Sequence, residues 1–284
     1  MRFLQTRRLV TLLPSLLFAF VAAGLIGGVT FAQGNESPSA SVNVAHFAPF
    51  GADVDATSVT VKVTGEGVDA MLENVKFGDV AKGIELPAGV ELTIQVIPTG
   101  ATDPAIETMV TLDAGAAYTV AAIGGANSWE LALLPLVDAT TAPESGALVR
   151  IGHLAPFADA NTPNSTAVDI CNDDAVLLPG VEYPQVTDYL PLPAGDYDNL
   201  QIALAGTDCG TVALSLPPVE LKDGGIVSVF AIGLLPDDAN FPLNVSVDET
   251  PPPPATVNVA HFAPFGADVD GTSVTVKVTG EGVD

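Results

Sequence analysis

The chain repeats itself at the spacing of a domain. Residues 42–69 and 257–284 are identical except that Gly271 replaces Ala56, and residues 151–157 carry a weaker copy of the same motif. The histidines that mark these copies, His46, His153 and His261, lie 107 and 108 residues apart. A period of this length is a whole domain rather than one turn of a solenoid, so the chain is predicted to be an array of similar domains.

The boundaries follow from the linkers between the repeats. A proline run near residue 252 is a stiff, extended spacer, and a short polar stretch near residue 143 separates the first two copies. The sequence predicts the following division: linkers at 33–41, 141–147 and 249–256, complete repeats at 42–140 and 148–248, and the truncated start of a third repeat at 257–284.

Each repeat shows the period of a β-strand. Val59, Val61 and Val63 share one face of a strand, and Leu200 and Ile202 show the same alternation in the second repeat. Gly- and Pro-containing turns punctuate these runs, and no long helical pattern is present. Short strands at regular spacing are typical of a sandwich, so an all-β chain with two tandem immunoglobulin-like β-sandwich domains is predicted.

The N-terminus resembles an export signal. Basic residues at Arg2, Arg7 and Arg8 precede an apolar stretch at residues 9–29. The segment that follows has small residues at the −3 and −1 positions of a cleavage site and ends at Ala32. We expect a signal peptide over residues 1–32 that is cleaved after Ala32, and a secreted or cell-surface protein. An uncleaved anchor is the alternative, because about 20 apolar residues can span a bilayer.

The acidic composition restricts the partners. Asp and Glu number 34 against nine Lys and Arg, which gives a formal net charge of −25. Such a surface repels nucleic acid and anionic lipid, so we expect neither nucleic-acid binding nor membrane insertion after signal cleavage. The expected partner is an extracellular one that the sequence does not identify.

Two cysteines, Cys171 and Cys209, occur in the whole chain. An exported chain meets an oxidising compartment, and the pair lacks the spacing and the histidines of a redox or zinc site. A Cys171–Cys209 disulfide is therefore predicted.

The repeated motifs resemble a known family. A strand that ends in V-x-V-x-H, a proline three residues later, and a Leu-Pro-Ala-Gly turn at residues 86–89 and 192–195 resemble the bacterial domain of unknown function 4397. The resemblance implies an exported, immunoglobulin-like sandwich in tandem copies, and it implies no activity. One departure is the loop after the histidine, which reads H-F-A-P or H-L-A-P here and H-A-S-P in the usual pattern.

The histidines are the first candidate site residues. His46 and His153 end rows of core-facing residues, and neither has a repeated Ser or Cys nucleophile beside it. We expect His46, His153 and His261 to be scaffold positions whose rings hydrogen-bond loop groups, and we assign no catalytic, cofactor-binding or metal-binding residue.

Two further features leave alternatives open. Acidic pairs such as Asp173-Asp174 and Asp237-Asp238 are expected to be solvated, although loops at one end of a sandwich could jointly bind Ca²⁺. Trp129, the single tryptophan, is expected to pack at a core or edge; if exposed, it could stack on a sugar.

The sequence favours a non-catalytic structural or adhesive module of the cell exterior over an enzyme. The competing function is an extracellular ligand-binding module, for carbohydrate or calcium, that uses loops at one end of the sandwich. Residues 257–284 match the first strands of repeat one. They are expected to be an incomplete repeat, with head-to-tail self-association by strand donation as the alternative.

Overall fold

The computed structural model describes residues 38–161 and 166–250. The predicted signal peptide and the third repeat with His261 lie outside the described residues. Within them, 18 strands and one short 3₁₀ turn form, and there is no α-helix. The all-β prediction is confirmed. No helix in this part of the chain is long and apolar enough to cross a membrane.

The first sandwich contains eight strands in two sheets. The strands are β1 (Ser39–His46), β2 (Val59–Gly65), β3 (Val68–Val75), β4 (Val80–Pro87), β5 (Glu91–Pro98), β6 (Ile106–Thr111), β7 (Ala117–Ile123) and β8 (Ala132–Asp138). One sheet has the order β4-β1-β7-β8 and the other β3-β2-β5-β6. Strands β1 and β7 pair in parallel, and all other neighbours are antiparallel.

The second sandwich repeats this order with an added pair of strands. Its strands are β9 (Ala147–His153), β10 (Val168–Asn172), β11 (Ala175–Val181), β12 (Leu190–Leu192), β13 (Gly195–Tyr197), β14 (Leu200–Leu204), β15 (Val212–Ser215), β16 (Val219–Leu221), β17 (Gly225–Ile232) and β18 (Asn244–Thr250). The main sheets are β12-β9-β17-β18 and β11-β10-β14-β15, and β13 pairs with β16.

Alternating side chains build each core. In the first sandwich, Val59, Val61 and Val63 on β2 face Leu92 and other buried residues of the same core. In the second, Val168, Ile170 and Ile202 occupy the matching positions. The predicted period-two rows therefore point inward, as expected for strands that each cover one face of a core.

The second sandwich is shorter at one end. In the first sandwich Val63 lies opposite Ile94, whereas in the second Asn172 lies opposite Leu200. Strand β12 has three residues where β4 has eight. The second core therefore loses apolar side chains at one end and part of an edge strand.

Candidate functional site

The histidine motif forms a closed local network in the first sandwich. His46 is buried, and its Nε2 lies 2.9 Å from the carbonyl oxygen of Thr57. The backbone N–H of Ala48 donates to Nδ1 at 3.3 Å, and the ring stacks on Phe50 with centroids 5.6 Å apart. Since Nδ1 accepts, Nε2 carries the proton and donates to Thr57.

The second sandwich repeats this network. Nε2 of His153 lies 2.7 Å from the carbonyl oxygen of Thr166, Nδ1 accepts from the N–H of Ala155 at 3.4 Å, and the ring stacks on Phe157. Burial lowers the pKa of both imidazoles. For His153 the pKa falls to about 4, although the hydrogen bond to Thr166 acts in the opposite direction. Both imidazoles are thus neutral, and each connects the end of its strand to the loop that follows through two hydrogen bonds with backbone groups.

The two sandwiches pack against each other through the outer faces of their parallel-paired sheets. Ala45, Ala121 and Ile123 come from the first sandwich, and Phe230 and Ile232 come from the second, in one shared apolar cluster. Phe47 packs on Phe230 with ring centroids 5.7 Å apart. We call this contact the joint; the sequence had indicated two sandwiches without indicating that they touch.

Aromatic contacts give the joint an approximate twofold symmetry. Phe77 of the first sandwich meets Phe241 of the second edge-to-face, with centroids 5.2 Å apart. Reciprocally, Trp129 of the first meets Tyr183 of the second edge-to-face at 4.6 Å. Phe77 and Tyr183 occupy matching positions after β3 and β11, and Trp129 and Phe241 both lie just before the last strand of their sandwich. The joint therefore resembles a symmetric dimer interface built within one chain.

A buried arginine crosses the joint. The Nη2 group of Arg150 on β9 donates to Oδ1 of Asp138 at 2.7 Å, and Nη1 donates to the carbonyl oxygen of Val137 at 3.1 Å. The guanidinium lies over the rings of Tyr189 and Phe230. Its side chain is 4% exposed and that of Asp138 is 13% exposed. A charge this deep requires its partners, so the pair fixes how β9 meets β8.

The turn before β8 holds the loop that follows His153. The side-chain amide of Asn127 donates to the carbonyl oxygen of Pro156 at 2.6 Å, and Nε1 of Trp129 donates to that of Ala158 at 2.9 Å. The N–H of Ala160 donates back to the carbonyl oxygen of Asn127 at 3.0 Å. Trp129 is half-buried in the joint, where its ring packs against Tyr183. The predicted packing of Trp129 is confirmed, and its ring is not exposed in the way that stacking on a sugar requires.

Two glycines at matching positions permit this turn geometry. Gly124 and Gly233, which end the repeated Ala-Ile-Gly motif, have φ of +83° and +97°. A β-carbon there would collide with the carbonyl oxygen of Glu130 or of Pro242. Burial raises the pKa of the Tyr183 phenol to about 12, and the backbone of Gly124 acts in the opposite direction.

The predicted disulfide is confirmed. Cys171 on β10 bonds Cys209, which lies in the connection between β14 and β15, and both are buried beside Ala203. The bond ties a central strand to an edge connection of one sheet. The first sandwich has no cysteine, so the bond is an addition to the shared fold.

The acidic pairs form no metal site in the part of the chain that the structure describes. Among residues 38–161 and 166–250, no three His, Cys, Asp or Glu side chains are grouped so that they could hold a metal ion. The calcium version of the ligand-binding alternative therefore gains no support from these residues.

The family model decides the relationship. A model described as a domain of unknown function, DUF4397, matches residues 40–161 and 160–272 in tandem. The chain belongs to the DUF4397 family. The resemblance drawn from the histidine and Leu-Pro-Ala-Gly motifs is confirmed. No protein with a curated description matches the chain.

The joint of this DUF4397 chain contains residues that no sequence motif marks. Arg150 is one of the nine Lys and Arg of the chain, and Tyr183 lies in no motif that points to a contact between domains. The sequence does indicate the joint through β17, a strand that is apolar except for Ser228. Val227 and Val229 face the core of the second sandwich, and Phe230 and Ile232 face the joint. A strand that is apolar on both faces is covered on both faces.

Proposed function

We propose that this protein is a non-catalytic structural module of the cell exterior, in which two DUF4397 sandwiches act as one rigid unit. The observation that carries the proposal is the joint. It combines a shared apolar cluster, two reciprocal aromatic contacts and a buried Arg150–Asp138 pair. A flexible array of independent domains needs none of these, because inter-domain contacts in such arrays are small and polar.

The histidine networks support the non-catalytic part of the proposal. A general base needs a ring nitrogen that reaches a reacting group. In His46 and His153 both ring nitrogens are engaged by backbone groups of their own loops. Burial of the rings also disfavours the protonated form.

The disulfide supports the exterior part of the proposal. Stable structural disulfides form in oxidising compartments. The Cys171–Cys209 bond is therefore suited to a secreted or surface-exposed protein. A net charge of −25 also suits a chain that must remain soluble outside the cell.

Backbone ¹⁵N relaxation of the purified chain tests the rigid unit. We expect the strands of both sandwiches to report one common rotational correlation time. Phe230→Ala removes the ring at the centre of the joint and should give two distinct, shorter correlation times. Met109→Ala, on β6 at a position that is 66% exposed and outside the joint, is the matched control and should keep the common correlation time. Independent tumbling of the two sandwiches in the unmodified chain would contradict the proposal.

Surface labelling of intact producing cells tests the location. A membrane-impermeant amine reagent should label Lys62 and Lys222 in cells whose cytoplasmic marker proteins stay unlabelled. Recovery of the protein only from the cytoplasmic fraction, with both cysteines reduced, would overturn the exterior location without affecting the test of rigidity.

A further inference from the structure

The second sandwich contains a large apolar cavity between its sheets, whereas the first is filled. The cavity of the second has a volume of about 350 Å³, and the matching space in the first has about 30 Å³. The walls come from both main sheets and from the β13–β16 pair, and they are formed almost entirely by Val, Leu and Ile side chains. Divergence between two copies of one fold has opened a space in only one of them.

The sequence explains where the space comes from. Two buried residues at one end of the first core, Val63 and Leu92, have Asn172 and Asp198 at the corresponding places in the second repeat. Asn172 is only partly buried, Asp198 is exposed, and neither lines the cavity, so neither fills the volume that Val63 and Leu92 fill in the first core. The edge strand β12 has only three residues, so it covers less of that side of the core than the eight-residue β4 does in the first sandwich.

The cavity reaches the surface at the edge strand β11. Leu177 lines the cavity and is 54% exposed, and its neighbour Val176 is also exposed. An exposed leucine on the wall of an apolar space provides an entry for an apolar molecule rather than for a sugar or an ion.

We propose that the second sandwich binds a neutral molecule with a hydrocarbon chain, which inserts between the sheets through the opening at Leu177. An apolar cavity of about 150 Å³ in another protein stays dry and accepts a benzene molecule. In proportion, the space here suits a chain of roughly a dozen carbon atoms. This binding activity is independent of the rigid joint, which lies on the opposite face of the β12-β9-β17-β18 sheet.

The lining also determines the polar end of the ligand. His153 is the one ionisable imidazole on the wall, and both of its ring nitrogens are already hydrogen-bonded. No lysine or arginine lines the cavity, and the protein carries a net charge of −25. A carboxylate head group would find no cation there, so an alcohol should bind at least as tightly as the corresponding acid.

Isothermal titration calorimetry of the full purified chain with 1-decanol and with decanoate tests the proposal. We expect one site per chain for 1-decanol, tighter binding than for decanoate, and a higher melting temperature in its presence. The absence of both heat and a melting shift with either probe would overturn the proposal.

A matched pair of variants locates the site. Val149 and Val42 occupy equivalent positions four residues before the histidines, and both are buried core residues. Val149→Phe places a ring in the cavity, so it should weaken 1-decanol binding at least about tenfold without lowering the melting temperature. Val42→Phe enters a filled core and should lower the melting temperature while the second sandwich still binds. If Val149→Phe destabilises the chain as much as Val42→Phe does, the cavity does not exist and the proposal is wrong.

A variant at the exposed opening gives a second readout that does not depend on core packing. Leu177→Gln should leave the melting temperature of the free chain unchanged and weaken 1-decanol binding several-fold, because it makes the entrance polar. Unchanged affinity in both Val149→Phe and Leu177→Gln would place the bound alcohol elsewhere and would overturn the assignment.

Discussion

Protonation of His153 should destabilise the second sandwich well above the pH of ordinary acid denaturation. Burial lowers the imidazole pKa to about 4 in the folded chain, whereas an unfolded histidine has a pKa of about 6.5. The unfolded state therefore takes up a proton first as the pH falls. The full stability is present above pH 6.5, is lost progressively below it, and the loss levels off below about pH 4.

The size of the effect follows from the two pKa values. The gap between them corresponds to roughly 3 kcal/mol in total, of which about 2 kcal/mol is lost by pH 5. At pH 5 most ordinary carboxyl groups are still ionised, so a loss between pH 7 and 5 mainly reports histidine. His46 is buried and shifted in the same direction, so a variant is needed to separate the two contributions.

Urea unfolding at pH 7 and pH 5 measures the effect, with His153→Gln as the comparison. The glutamine amide can still donate to the carbonyl oxygen of Thr166 but cannot titrate. The free energy of unfolding of the unmodified chain should fall by about 2 kcal/mol more than that of the variant over this interval. Equal losses in the two proteins, or an NMR titration of His153 in the folded chain near pH 6.5, would refute the reasoning.

Three further perturbations have defined outcomes. Replacing both Cys171 and Cys209 by Ala should cost about 4 kcal/mol by the loop-entropy estimate for a separation of 38 residues, measured by denaturant unfolding; no loss would contradict it. Arg150→Met should cost about 3 kcal/mol and be largely rescued by adding Asp138→Asn, which removes the charge left without its cation and can still accept from the hydroxyl of Thr119; failure of the rescue would contradict this. Gly124→Ala should cost more than the roughly 1 kcal/mol of Gly89→Ala in thermal melts, since both glycines have positive φ but only Gly124 faces a carbonyl oxygen; equal costs would refute the role of that contact.

The sequence predicted strands and core residues best where one face of a strand is buried and the other is exposed to solvent. The rows that include Val59 and Ile202 alternate because each strand has one core, and His46 and His153 continue those rows inward. The disulfide pairing was also predictable, since two cysteines in one chain have a single possible intramolecular pairing. These features depend on local periodicity and on residue type alone.

The joint and the cavity depend on information that periodicity does not carry. Arg150 lies on the outer face of β9, where a charged residue ordinarily indicates solvent, and it is buried because the first sandwich, with Asp138 and Val137, packs on that face. The cavity is a deficit of volume, and hydrophobic patterning records which residues face inward but not whether they fill the space. The replacement of Leu92 by Asp198 between the repeats was a visible sign of that deficit.

The family match and the fold divide the chain at different points. The strands of the first sandwich end at Asp138, yet the first matched segment continues to residue 161 and includes His153 and its loop. That loop is held by the turn around Asn127, through hydrogen bonds to Pro156, Ala158 and Ala160. Its sequence must satisfy its own sandwich, through His153, and the preceding sandwich, through these bonds. The first matched segment therefore contains both partners of this contact, the turn around Asn127 and the loop after His153.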